Sequence, residues 1–492
     1  MRSPDRSRFP SLPGLGLSSS ELSYTSVSLM SFRRRSLGAG IGLALTFLLG
    51  SLAISQDGAS KKEAQGDAVI LQEQLENGTA FEVDLALELS GELRIQADKE
   101  LRKIAIKAQG KHHYTERLLS VGETPHSTGP ARVARQYDKA EAVVFEGAEK
   151  TIRSLRPSRR LFLVQRTKEQ LWTVCPEGPL TRSEQELTTD QFDTLALSGI
   201  VPGTKVRAGE TWRLHNATVQ LLCHFEGLVE QDLAGKLLEI KGDEAHFSVS
   251  GKASGIDLGA QVKAAVEARG IFDTKQNLIV NLEWKQTEER DPGPVNPSGT
   301  LESYLKVQRK KVEIPAALSD KSIAKLPEEK DGVPEQLRTL EFRDAKARYE
   351  LVHGREWQLV AETDNHLVLR LLDRGDFIAQ CTITPWTAAT KGKHMSPEDF
   401  RAAMNKTPGW EVNKELLADE IPGTEGRYIF RIAAQGQMDG ADVVQHFFLI
   451  AAPTGEQAIM TFSMTPRMVE KLGARDLSLV GGLLLPANSV EP

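Results

Sequence analysis

The sequence predicts an α+β protein: an N-terminal antiparallel β-rich domain, a curved sheet or partial barrel, followed by a C-terminal α/β sandwich. Three observations predict it. Apolar and polar residues alternate over many short runs between Thr79 and about Val312. The pattern breaks at 314–336, where prolines and charges crowd together. After Leu340, strand-like runs return and a terminal helix follows them.

The chain has 492 residues, too many for one ordinary core, which argues for several domains. A hydrophobic share of 40% with 26% charged residues fits a globular protein rather than a disordered one. A net charge of −6 argues against a nucleic-acid partner. Three cysteines exclude a disulfide-stapled miniprotein and a four-cysteine zinc site.

Leu37 to Ile54 is the longest apolar run, and Arg33, Arg34 and Arg35 stand directly before it. A basic stretch, an apolar stretch and a small-residue exit at Ala53-Ile54-Ser55 are the parts of a secretory signal. The run is also close to the shortest length that spans a bilayer, so a single uncleaved N-terminal membrane anchor is the alternative. Both readings place residue 56 onward outside the cytoplasm, periplasmic or extracellular. The Ser- and Pro-rich residues 1–29 do not fit a signal, and Met30 offers a conventional start. The domain plan is therefore 1–55 as extension and signal or anchor, 56–78 as linker, 79–313 as the β-rich domain, 314–336 as a second linker, and 337–492 as the sandwich.

Within the β-rich domain, Phe81, Val83, Leu85, Leu87 and Leu89 alternate with mainly polar partners. Further strand runs are Ile104 to Ala108, Val143 to Phe145, Leu161 to Val164, Leu171 to Val174, Val219 to Phe225, Leu237 to Ile240, Ala245 to Val249, Val262 to Ile271 and Leu278 to Trp284. One helix is expected at 183–195, with Leu187, Phe192 and Leu195 spaced helically and Thr189 as its N-cap. Val206 to Trp212 reads as a tight turn that carries Trp212 into the core. Through Val206, Gly209, Glu210, Thr211 and Trp212 this segment resembles the V-x-x-G-E-T-W turn of exported bacterial β-rich proteins.

In the C-terminal domain, Tyr349 to His353 and Trp357 to Ala361 are short strands. Leu367 to Leu372 and Phe377 to Ile383 pair across Asp373-Arg374-Gly375-Asp376. Ser396 followed by Pro397 opens a helix to Met404 as N-cap and N1 residue. Strands follow at 426–433, 443–451 and 457–464, and a helix from Pro466 ends at Gly473. The Trp357–Ala361 strand, the Ser396 helix, the Phe447-Phe448-Leu449 strand and the Thr461–Met464 strand before a last helix give an order that resembles the PsbP-like fold. The resemblance covers about 340–490 and implies an α/β/α sandwich. Members of that fold bind different partners, so it implies no activity.

The chemistry-bearing residues do not assemble into a recognisable site. His112 and His113 with Glu116 offer metal-ligand chemistry, but adjacent histidines on a strand point to opposite faces and do not easily chelate one ion together, so they read as ordinary surface and core histidines. Cys175 and Cys223 lie in one domain outside the cytoplasm, where a disulfide is permitted. Cys381 is left over among apolar neighbours, as a buried inert thiol. Cys223-His224 is a poor catalytic pair. No hydrolase, P-loop or dinucleotide motif follows a strand. Arg153, Arg156, Arg159 and Arg160, with Lys150 before them, form the densest basic run and read as a solvated hairpin edge; the alternative is a site for an anionic polymer, lipid headgroup or phosphate. Trp172, Trp212, Trp284 and Trp357 read as core. Trp386 and Trp410 lie beside the Ser396 helix, where one of them is free to face a partner. The expectation is a non-catalytic envelope protein with no cofactor, metal or catalytic residues. It binds or scaffolds an envelope partner; the alternative is a carrier of a lipid or other hydrophobic ligand in the β-rich domain.

Overall fold

The computed structural model describes residues 68–97, 100–122, 130–166, 171–189, 192–329 and 332–486. The export segment read in residues 1–55 lies outside the described residues. Among those described, no helix is long and apolar enough to cross a membrane.

The alternating runs build one antiparallel sheet of 13 strands. Its path runs Thr211–Arg213, Ala234–Lys241, Glu244–Asp257, Ala260–Asp273, Leu278–Arg290, Ser298–Val312, Ala80–Ala97, Glu100–Val121, Pro130–Glu146, Leu161–Arg166 and Leu171–Val174. Gly227–Gln231 and Glu149–Ser154 pair alongside that path. Among the described residues the two ends of the path do not pair with each other, so the sheet is open rather than a closed barrel.

Period two decides which face is buried. Phe81, Val83 and Leu85 are buried, whereas Asp84 between them is exposed. Across the sheet Tyr114, Leu118, Val133, Tyr137, Phe162 and Val164 share that core face. The chain's own stretch 192–225 packs onto it through Leu195, Leu197, Ile200, Val219 and Leu222. Each large side chain buried there contributes roughly 1.5–3 kcal/mol.

The local structure of this covering stretch departs from the sequence expectation. The helix is Arg182–Thr189, and a separate 3-10 turn follows at Thr194–Ile200. The cap is Asp193, whose side chain accepts from the Leu195 amide at 3.0 Å, and not Thr189, which ends the first helix. Residues 219–225, expected as a strand, belong instead to the helix Asn216–Leu222 and the turn after it. Val219 and Leu222, three apart, both turn into the core, which a strand would prevent.

The described parts of the two expected linkers, 68–78 and 314–336 without 330–331, are packed against the sheet. Ala68–Ile70 pairs with Lys205–Arg207, Leu71 is fully buried, and Glu73 binds the buried Arg309. The described residues of 314–329 and 332–336 lie on the outer face of the sheet. Leu318, Leu326 and Val333 cover Ala134, Leu161, Leu163 and Val174, and Arg117 donates to the Leu318 carbonyl at 2.8 Å.

Beside a smaller sheet of Leu483–Leu484, Glu350–Gly354, Thr339–Arg343 and Leu180–Thr181, the second half is built on a seven-stranded antiparallel sheet. Its order is Trp357–Glu362, Leu367–Asp373, Asp376–Trp386, Gln457–Met464, Ala441–Ala451, Tyr428–Met438 and Trp410–Ile421. Helix Pro397–Met404 covers one face through Phe400 and Met404, and Ser396 caps it by accepting from the Asp399 amide at 3.1 Å. The other face packs against Leu472, Leu479 and Val480. These come from Val469–Leu472, which the sequence indicated, and from Arg475–Gly481, which it did not. His446 Nδ1 and Asp476 Oδ2, 2.7 Å apart, tie the added helix to the sheet.

The halves are joined by backbone and charge. Leu180–Thr181 pairs in parallel with Thr339–Arg343. Arg156 grips Glu184 at 2.7 and 2.5 Å and also binds Glu341 of the second half. Burial opposes the Glu184 charge, but Arg156 and the amides of Thr181 and Arg156 hold its carboxyl below the ordinary range. Arg182 donates to Gln358 at 2.6 Å, and Val295 packs among Val360, Ala361, Val368 and Leu372.

Candidate functional site

The residues singled out in the sequence are dispersed by the fold. His112 is buried on the core face and His113 is on the outer face, as the strand period requires. Burial, with Arg135 nearby, pushes His112 down to about 4. Glu116 is buried against Arg135, whose Nε donates to it at 2.7 Å, while Arg135 Nη2 donates to Thr194 Oγ1 at 2.8 Å. This pair fastens the covering stretch to the sheet.

The three cysteines are free and buried. Burial pushes the thiols of Cys175 and Cys223 up to about 12 and that of Cys381 well above its ordinary value, which disfavours the reactive thiolate. The basic run is taken up by internal partners: Arg153 by Glu186, Arg156 by Glu184 and Glu341, and Arg159 by the Glu177 carbonyl. The guanidinium groups of Arg338 and Arg355 lie over the ring of Trp172, 5.3 and 5.2 Å from its centre. Trp386 is half-buried at the end of its strand. Trp410, one of the two tryptophans expected beside the Ser396 helix as candidate partner contacts, starts a strand and is only 5% exposed, because its indole packs against Phe447.

A polar ladder escaped the sequence reading. On strand Leu278–Arg290, Trp284 donates to Gln286 at 3.0 Å, Gln286 to Glu288 at 2.7 Å, and Arg290 reaches both Glu288 and Asp257, the latter at 2.8 Å. Burial leads the upward push on the Asp257 carboxyl, with Glu288 adding to it against Arg290. The signal was present: Gln286, Glu288 and Arg290 continue the parity of Leu282 and Trp284, which is the core parity. The groups satisfy one another and run as a strap from the core to the 257 turn.

The site with a free face is the edge strand Trp410–Ile421. It is the terminal strand of its sheet, and Glu411 to Ala418 are all exposed. Trp410 anchors its start. Gly436 lets it lie close: a β-carbon there would meet the Glu411 carbonyl at 2.1 Å. Arg401 of the covering helix holds Glu415 at 2.8 and 3.1 Å, and Arg431 holds Asp419 at 3.0 and 2.9 Å. Between these fixed points, Leu416 and Leu417 are 47% and 41% exposed, with Val412 nearby at 39%. Register shifts between Val412 and Lys414 and between Glu415 and Leu417 mark two bulges. Bulges and charges oppose indiscriminate strand pairing, while the exposed aliphatic groups favour a matched partner.

No family model matches the chain, and no curated protein matches it. Among solved structures, cyanobacterial PsbP from Synechocystis aligns with 30% of this chain and 93% of its own, at 11% identity and a TM-score of 0.24. Lipovitellin, described for its lipid–protein interactions, aligns with 50% of this chain and 26% of its own, at 10% identity and a TM-score of 0.28. The translocator domain of the autotransporter NalP from Neisseria meningitidis aligns with 80% of this chain and 88% of its own, at 6% identity and a TM-score of 0.12. These are weak fold likenesses and transfer no function.

Proposed function

We propose that this chain is an exported, non-catalytic binding or scaffold protein that takes a partner protein along the open edge of its C-terminal sheet. The carrying observation is the Trp410–Ile421 strand, anchored at one end, held by two arginine–carboxylate pairs, and exposing Val412, Leu416 and Leu417. A strand edge offers a row of backbone donors and acceptors, and aliphatic groups beside it add the apolar contact that selects a partner. The basic and apolar pattern at 33–54 supports export.

The non-catalytic reading is supported by the core-face polar groups, which hold one another: Glu116 with Arg135 and Thr194, Glu73 with Arg309, and the ladder ending at Asp257. The carrier alternative requires more. A hydrophobic ligand on the core face would have to displace Leu195, Leu197, Ile200, Val219 and Leu222, and with them the buried Thr194 contact to Arg135.

The test replaces both edge leucines. Leu416→Lys with Leu417→Lys leaves thermal stability unchanged, because both side chains are already exposed. The same variant loses the protein that the wild type retains from its own envelope extract. Equal retention by the variant contradicts the proposal.

A further inference from the structure

Three strands of the large sheet bring together, on its outer face, side chains that are far apart in sequence. Glu82 and Asp84 alternate on strand Ala80–Ala97 and share the face opposite to Phe81 and Val83. His113 of strand Glu100–Val121 lies directly across from Asp84. On the third strand, Pro130–Glu146, the register shifts so that Lys139 is opposite His113 and Tyr137 is opposite Tyr114, which leaves Asp138 as the extra residue of a bulge. His113 thereby stands between two carboxylates: its Nδ1 is 2.8 Å from Asp84 Oδ1 and its Nε2 is 3.6 Å from Asp138 Oδ2. One ligand atom each from Glu82, Asp84 and His113 lies within 4.8 Å of the others.

We propose that Glu82, Asp84 and His113 form a binding site for a divalent transition-metal ion of the zinc type, with Asp138 as a positioning residue for the imidazole. Donor chemistry selects the ion. Two carboxylates and one imidazole suit zinc, which takes nitrogen and oxygen ligands at about 2.0–2.2 Å and accepts water in a fourth position. Calcium and magnesium prefer oxygen ligands alone. Ligands at that radius from one ion stand at most about 4.2–4.4 Å apart, so rotamer adjustment of the exposed Asp84 and the half-buried Glu82 is enough to close the cluster. The carboxylate beside the remaining imidazole nitrogen completes the carboxylate–histidine–metal arrangement that orients a ligating histidine.

The site's own cation is Lys310, whose ammonium is 2.6 Å from Glu82. Metal binding at Glu82 displaces that ammonium, while Lys139 stays with Glu141 at 2.6 Å. A bound ion cross-links Ala80–Ala97 to Glu100–Val121 and, through Asp138, braces Pro130–Glu146. It therefore stabilises the folded sheet by mass action.

The experiment titrates the full-length protein with zinc by calorimetry and follows the unfolding temperature with and without the ion. The proposal expects one saturable site and a zinc-dependent rise in unfolding temperature. His113→Ala and Asp84→Asn each weaken binding at least about tenfold and remove the rise, and Asp138→Asn weakens it by about tenfold. Lys310→Met tightens binding by removing the competing ammonium. All four side chains are at the surface, so circular dichroism of each variant stays that of the wild type. Absence of saturable binding, or binding that persists in His113→Ala, overturns the assignment.

Discussion

The indole of Trp212 lies against Gly235 of the neighbouring strand, so that a β-carbon at 235 would come within 2.2 Å of the ring. The indole Nε1 donates to the Ile200 carbonyl at 2.8 Å, which fixes the ring in place. The turn before it is set by Gly209, at φ +90°, and by Glu210, which accepts from the Arg207 amide at 2.9 Å. One tryptophan thus links the edge of the sheet to the stretch that covers its core face.

Gly235→Ala forces the indole or the strand to shift. The expected cost is about 1–3 kcal/mol, the range for overpacking a fitted site. Chemical denaturation measures it. Trp212→Phe in the same background recovers part of the loss, because the smaller ring leaves room.

The buried pair of Glu116 and Arg135 makes a sharper demand. Glu116→Gln leaves a buried guanidinium without its charge partner and destabilises by about 3–5 kcal/mol. Replacing both residues, as Glu116→Leu with Arg135→Met, costs less than either single change. A double-mutant cycle on unfolding free energies reads the coupling directly.

His112 and His353 make stability depend on acidity. Burial pushes each from 6.5 down to about 4. The unfolded chain therefore takes up these protons first, so the stability they allow is complete above about pH 6.5 and is lost as pH falls toward 4. Each contributes on the order of 3 kcal/mol at the acid end. Denaturant midpoints across that window fall with pH in the wild type and fall less in His112→Gln and His353→Gln.

Native mass spectrometry of the protein taken from its own envelope extract separates binding from carriage. The filled core face predicts a bare chain or a protein-sized adduct. A lipid-sized mass that leaves on mild unfolding would support the carrier alternative instead.

The fold was legible wherever one face of an element is wet and the other dry. Period two marked Phe81 to Leu85, and Ser396-Pro397 marked its helix, because each pattern reports a local physical cause. The Trp410–Ile421 strand was missed for the opposite reason. It is wet on both faces, so Glu411 to Glu420 show no apolar alternation and give no signal of a strand. Val219 to Phe225 misled because a short apolar run serves a helix as well as a strand. The metal cluster was hidden because its ligands come from neighbouring strands: the sequence places His113 beside His112, while the register places it beside Asp84. The segment 314–336 looked like a tether because its buried residues, Leu318, Leu326 and Val333, are few and widely spaced among charges.

The most direct test of the docking edge is site-specific photo-crosslinking in the native envelope, with a photoreactive phenylalanine analogue at Leu416 and, as control, at the exposed Val229 of the large sheet. A single protein adduct from position 416 and none from 229 is the predicted result. No adduct at 416, or the same adducts from both positions, contradicts the account.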